Sequence, residues 1–225
     1  DVSNIEGTGT HTVYTSVVIP YGNVEVMNQD PSIITVTVDE VIEEEKDIYV
    51  HTNGEPAEGY KVGSIKTTPA KMKIRGAKSI VGSIDHVSAT LDVSGKSEDI
   101  SSVEHFELIG STDTVISSTY VTTAQDTVDV HCEILKKKTL NIEPKFEDGL
   151  NNDDEWYTLD DNSLKSIEVA GAASVIDSLD KAETQTITRE MIGDDEEVEV
   201  ELTLPTGVES LDGNKVTLKL KKNTR

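Results

Sequence analysis

Apolar and polar residues alternate strictly over residues 34–38, 128–134, 198–204 and 216–220. Val, Ile and Leu fall on one face and Thr, Asp, Glu or Lys on the other, the pattern of a half-buried strand. These segments are expected to form antiparallel sheets. The period changes in one place: Ala77, Ile80, Val81 and Ile84 stand at i, i+3, i+4 and i+7, one face of a short helix. Ala172, Val175, Ile176 and Leu179 repeat that spacing. Gly76 and Gly171 stand just before the two helices, where the backbone is expected to bend sharply out of a strand.

The recurrence extends well beyond the helices. Residues 75–85, RGAKSIVGSID, return as residues 170–180, AGAASVIDSLD, at an offset of 171−76 = 95. Val36, Val38, Ile42, Lys46, Ile48 and Val50 align with Val128, Val130, Ile134, Lys138, Leu140 and Ile142 at 128−36 = 92. The second copy therefore gains about three residues (95−92 = 3), placed most simply in the acidic loop at 148–155. A third, partial copy comes first: Asp1-Val2-Ser3 matches Asp92-Val93-Ser94 at an offset of 91, and residues 34–38 match the strand at 126–130 at 92.

A repeated unit of this length reads as a tandem array of small domains. The expected division is 1–40 as the C-terminal part of a truncated repeat, 41–134 as a complete domain and 135–225 as a divergent one. The fold class is then mostly β, each domain holding several strands and one short helix. Glu43-Glu44-Glu45 and Leu135-Lys136-Lys137-Lys138 stand between repeats without a Pro, Gly or Ser-rich spacer. That predicts an elongated, semi-rigid array.

One stretch carries a more specific pattern. Gly54-Glu55-Pro56-Ala57-Glu58-Gly59-Tyr60-Lys61-Val62-Gly63 is followed by Pro69, by alternation into Arg75-Gly76, by the helix segment, and by Leu91-Asp92-Val93-Ser94-Gly95. This succession resembles the YbbR-domain family, whose signature runs G-x-P-A-x-G-Y-x-V, then P-x-x-(V/I)-x-(V/I)-x-G, a short helix and a V-D-V-S strand end. The copy at 41–134 carries the whole pattern. The copy from 135 keeps the spacing but has Asp148-Gly149-Leu150 and Trp156-Tyr157 in place of the loop. The resemblance implies a protein held in a bacterial cell membrane by one N-terminal helix, with these domains on the extracytoplasmic face, regulating the membrane-bound diadenylate cyclase that makes cyclic di-AMP. Gly54, Pro56, Ala57, Gly59, Tyr60 and Gly76 are its signature residues, with a structural or interaction role. Physically, Pro56 fixes φ while Gly54 and Gly59 permit positive φ, so the segment is a shaped turn delivering Tyr60 into a strand.

Charge narrows the partners. Against 20 Lys plus Arg stand 43 Asp plus Glu, a formal net charge of −23 whose field repels phosphate backbones, so nucleic acid is not expected as a partner. Only 4% of residues are aromatic, so each core must be built from Val, Ile and Leu. The single cysteine, Cys132, rules out an intrachain disulfide; it shares a strand face with Val130 and Ile134 and reads as a small buried hydrophobe. No apolar run is long enough to span a bilayer, so the 225 residues read as soluble, with any anchor expected upstream of Asp1.

No catalytic constellation is present. His11, His51, His86, His105 and His131 are scattered without metal-ligand spacing, so no metal or cofactor is expected. There is no Gly-x-Ser-x-Gly elbow, no P-loop and no dinucleotide fingerprint. The acidic runs at 148–155, 160–161 and 194–197 lack EF-hand spacing and read as solvated loops. Trp156-Tyr157 reads as a core anchor matching Tyr60. The expected function is a non-enzymatic, membrane-tethered ectodomain working through protein contacts. The alternative is a structural or adhesive spacer associated with cell-wall polymer.

Overall fold

The computed structural model describes residues 5–20, 22–152 and 154–225. The Asp1-Val2-Ser3 match to the first repeat lies outside them, as does Asp153 of the acidic loop. The chain is mostly β. It runs through β1 (Gly9–Tyr14), β2 (Ile33–Val38), β3 (Val41–Asn53), β4 (Tyr60–Thr68) and β5 (Lys71–Ala77) to a helix, α1 (Lys78–Val81). Then come β6 (Ile84–Asp92), β7 (Ile100–Gly110), β8 (Val115–Ile116), β9 (Val121–Thr123), β10 (Thr127–Phe146), β11 (Glu155–Leu159) and β12 (Ser166–Gly171). A second helix, α2 (Ala173–Ile176), leads to β13 (Lys181–Ile187), β14 (Glu197–Thr203), β15 (Val208–Ser210) and β16 (Lys215–Thr224).

Contacts divide the chain into two compact units, each drawn from separate stretches. The first comprises Asp1–His51, Thr67–Thr90 and Val103–Asp129; the second comprises Thr52–Lys66, Leu91–Ser102 and Val130–Arg225.

In the first unit β3 and β5 are antiparallel, with Glu44 opposite Ile74, and β9 takes the far edge of β5 with Val121 opposite Gly76. β6 and β7 form a second antiparallel pair, Val87 facing Leu108. Met72, Ile74, Val81, Ile84, Val87 and Val128 are buried. α1 begins where Asp39 accepts hydrogen bonds from the Ser79 amide (2.8 Å) and hydroxyl (2.6 Å). Those bonds, the hydroxyl's foremost, hold the exposed Asp39 carboxyl below its ordinary value. β1 and β2 make a separate two-stranded antiparallel sheet.

The second unit shows how the helix is used. β12 lies antiparallel on one edge of β10, and β13 lies parallel to β10, with Ile142 opposite Ala182. The alternating segments at 34–38, 198–204 and 216–220 pair antiparallel as expected, and the parallel pair lies outside them. A parallel neighbour needs a crossover, and β12 with the single turn of α2 supplies one. The ladder shifts register between Glu143 and Lys145, and the intervening Pro144 has no amide to donate. Buried Thr184 accepts the Lys145 amide at 3.0 Å, so the bulge leaves that donor satisfied. Leu140, Ile167, Val169, Ile176, Ile187, Val198, Leu218 and others close one apolar core.

Both helices are shorter than their periodicity suggests. Each is one turn of four residues, and Ile84 already opens β6. Gly76 and Gly171 are also explained differently. Neither has positive φ; a Cβ on Gly76 would lie 2.8 Å from the Tyr120 carbonyl oxygen, and one on Gly171 would lie 2.9 Å from that of Gly207. Their neighbours β9 and β15 approach too closely for a side chain, so close packing rather than a bend requires glycine. Finally, the ladders align the copies more closely than the sequence does. Glu44 faces Ile74 and Lys138 faces Val169, which gives offsets of 138−44 = 94 and 169−74 = 95. Lys46 is therefore the counterpart of Leu140, not of Lys138.

Candidate functional site

The signature residues at 54–60 form one loop, between β3 and β4. Gly54 and Gly59 adopt φ of +79° and +81°, left-handed values that glycine alone accepts without strain. Between them Pro56 and Ala57 are half-buried while Glu55 and Glu58 face solvent. The Tyr60 amide closes the turn on the Ala57 carbonyl at 3.0 Å.

What holds this loop is a second turn 40 residues on, at 93–96. The Val93 amide donates to Asn53 (2.9 Å), the Gly95 amide to Glu55 (2.8 Å) and the Ala57 amide to Lys96 (2.9 Å). Three backbone hydrogen bonds clamp two irregular segments together, so few of their polar groups depend on water. The fit is close: a Cβ on Gly54 would stand 2.0 Å from Ser94 Oγ. The loop's other end is tied by the Lys137 amide, which donates to the Gly59 carbonyl at 2.7 Å. The Leu91-Asp92-Val93-Ser94-Gly95 element of the pattern is thus the seat of the Gly54 to Tyr60 element. Sequence reasoning missed that contact; its signal was a third left-handed glycine, Gly95, at φ +66°.

Asp92 supports the seat. Its Oδ1 accepts from the Ser94 hydroxyl and from the Ser94 amide (3.0 Å), and these bonds, the hydroxyl's first, hold the exposed carboxyl below its ordinary value of 3.8. The folded-state value is the lower one, so the stabilisation is present above the unfolded value and lost as pH falls through the folded one. In an NMR titration the Ser94 amide is expected to hold its shift from pH 7 to pH 5 and to move with a midpoint below 3.8. A midpoint at or above the ordinary value would remove Asp92 from this role.

Gly76 is not part of the loop; it lies in β5 opposite Val121. The remaining candidates sort as follows. Cys132 is fully buried between Val130 and Ile134, and burial first, then the Asp99 and Glu133 carboxylates, raise its thiol pKa. It is thus the poor nucleophile expected of a core residue. Tyr157 is buried beside Phe146, ring centroids 6.3 Å apart, whereas Trp156 is 37% exposed. Successive residues of β11 face opposite ways, so only one of the pair anchors the core. Among the described residues no three His, Cys, Asp or Glu side chains are placed to hold a metal ion. No helix among them is long and apolar enough to cross a membrane. A cleft of ≈410 Å³ in the second unit contains the Lys61 and Glu209 ion pair (2.6 Å), in which the two charges satisfy each other.

Comparison with known proteins gives three findings. Residues 47–131 match the family described as YbbR-like protein. No curated protein matches. Among solved structures, a YbbR-like protein from Streptococcus pneumoniae is similar at 11% identity and a TM-score of 0.37, over 84% of this chain and 99% of that one. A solution structure from Streptococcus thermophilus is similar at 22% identity and a TM-score of 0.31, over 42% of this chain and 84% of that one.

Proposed function

Residues 47–131 match the YbbR-like family, and from that premise we propose that the chain is a non-catalytic regulatory ectodomain that controls a membrane-bound diadenylate cyclase by protein contacts. It acts on the extracytoplasmic face of a bacterial cell membrane, tethered by a segment outside these residues. The observation that carries the reading is the clamped loop at 54–59. It is fixed by backbone hydrogen bonds and presents Glu55 and Glu58 to solvent. Such a surface suits recognition of another protein better than turnover of a substrate. The buried, poorly acidic thiol of Cys132 points the same way.

The test uses the full-length protein in its own membrane. The protein is expected to co-purify with the cyclase, and deleting its gene is expected to change cellular cyclic di-AMP. Gly54→Val, which unseats the loop, should reproduce the deletion's effect while leaving the protein in the membrane. Unchanged cyclic di-AMP on deletion and on overproduction would overturn the reading. Retention on cell-wall polymer with unchanged nucleotide would favour the spacer alternative instead.

A further inference from the structure

Asn53 is the last residue of β3, and the loop at 54–59 departs from it. It is also the one asparagine of the chain that glycine follows. Asparagine is thermally labile because the amide nitrogen of the next residue can attack its side-chain carbonyl carbon and close a five-membered ring. Three conditions favour that reaction: a side chain free to turn, an attacking amide that is not engaged, and a following residue that does not crowd the ring.

All three are met at this position. The Asn53 side chain is exposed and makes no hydrogen bond among the described residues. By contrast, Asn151 Oδ1 accepts the Tyr157 amide (2.8 Å), Asn152 Oδ1 accepts those of Asp154 and Glu155 (both 2.9 Å), and the Asn162 side chain donates to Asp160 (3.1 Å). The Gly54 amide donates to no group among the described residues, although the Ala57, Val93 and Gly95 amides around it are all engaged. Gly54 is exposed and has no Cβ to obstruct the ring. One bond opposes closure. Asn53 must rotate out of its strand conformation, and its carbonyl accepts the Val93 amide at 2.9 Å. The reaction therefore proceeds from the opened clamp, and its rate follows that opening.

We propose that Asn53-Gly54 is a site of spontaneous deamidation, and that the isoaspartate it yields unseats the loop at 54–59. The Gly54 nitrogen loses its proton and bonds to Asn53 Cγ, and the side-chain nitrogen leaves as ammonia. Water then opens the ring. Attack at Cγ gives aspartate; attack at the backbone carbonyl carbon breaks its bond to the Gly54 nitrogen and leaves Gly54 attached through Cγ. One water is consumed and one ammonia released, with no change of oxidation state. In the isoaspartate the main chain is longer by one carbon, and the carbonyl that accepted the Val93 amide has become part of a carboxylate. The new charge joins those of Glu55 and Asp92 on the two segments that the clamp holds together, where like charges repel. The site is independent of the cyclase reading.

The whole chain, aged at mildly alkaline pH, is digested with trypsin and measured by mass spectrometry. Peptide 47–61 holds Asn53 as its only side-chain amide, and peptide 146–165 holds Asn151, Asn152 and Asn162. The first should convert to its acid form about tenfold faster than the second, with isoaspartate identified by isoaspartyl methyltransferase labelling. Asp92→Ala, which releases the Ser94 hydroxyl, should speed the conversion further. The isoaspartate form, separated by ion exchange, should lose slow amide exchange at Val93 and Gly95, while freshly prepared Asn53→Asp keeps it. Equal conversion of the two peptides, or a rate in Asp92→Ala no faster than in the parent chain, would overturn the proposal. So would unchanged exchange in the isoaspartate form, or exchange equally fast in Asn53→Asp, since the lengthened main chain would then not be what unseats the loop.

Discussion

Ile176→Ala is expected to cost about 2–5 kcal/mol, although it alters a helix of one turn. Ile176 is fully buried and belongs to the core formed by Leu140, Ile167, Val169, Ile187 and Leu218. Little of that cost is helical propensity, because a single turn contributes almost nothing on its own. It is the loss of an apolar side chain from a packed site whose walls are strands held in register. The sole tryptophan, Trp156, lies on β11 in the same unit and reports its unfolding. Urea unfolding followed by Trp156 fluorescence should show a lowered midpoint with an unchanged slope. Val175→Ala, at a half-buried position one residue earlier, should shift the midpoint far less. A loss below about 1 kcal/mol for Ile176→Ala would show that the crossover is not fixed by this side chain.

Gly54→Ala is the second large effect, and it should exceed Gly59→Ala. Both residues are left-handed, so each alanine carries a backbone cost of about 1–2 kcal/mol. At Gly59 nothing lies within 4 Å of the added carbon, and that cost is the whole of it. At Gly54 the carbon also meets Ser94 Oγ at 2.0 Å, Cβ at 3.0 Å and Cα at 3.2 Å. The hydroxyl can rotate away only by leaving Asp92, and the Cα belongs to a turn held by three hydrogen bonds. Gly54→Ala should therefore lose at least about 2 kcal/mol and speed amide exchange at Val93 and Gly95. Equal losses at the two glycines would mean the loop and its seat are not tightly clamped.

Much of the fold is legible in the chain. β14 and β16 bury every second residue, Val198, Val200 and Leu202 on one and Val216, Leu218 and Leu220 on the other, as their alternation requires. The two helical turns also fall where the repeat places them. What the pattern could not reveal has definite causes. Four apolar residues across eight positions fit a two-turn helix as well as one turn running into a strand, and Ile84 takes the second course. Alternation carries no sign of strand direction, so the parallel pairing of β13 with β10 is invisible in it. A strand slipped by two residues keeps every side chain on its face. That is why Lys46 could be matched with Lys138 when the ladders match it with Leu140. Within the candidate site, the glycines announced the loop at 54–59. Its seat at 93–96 depends on a contact across 40 residues that no local pattern encodes.

The parallel ladder bears on the order in which the second unit can assemble. β10 and β12 can meet once the chain has reached Gly171, but β13 cannot join β10 until α2 has turned the chain across. Its pairing of Asn141 with Lys181 closes a loop of 40 residues (181−141 = 40), and that entropy is lost before the ladder repays it. Until then one edge of β10 stays open, in a segment that alternates Leu140 and Ile142 with polar residues. Between synthesis of residue 146 and arrival of residue 187 this edge of β10 is therefore open to pairing with a stranger.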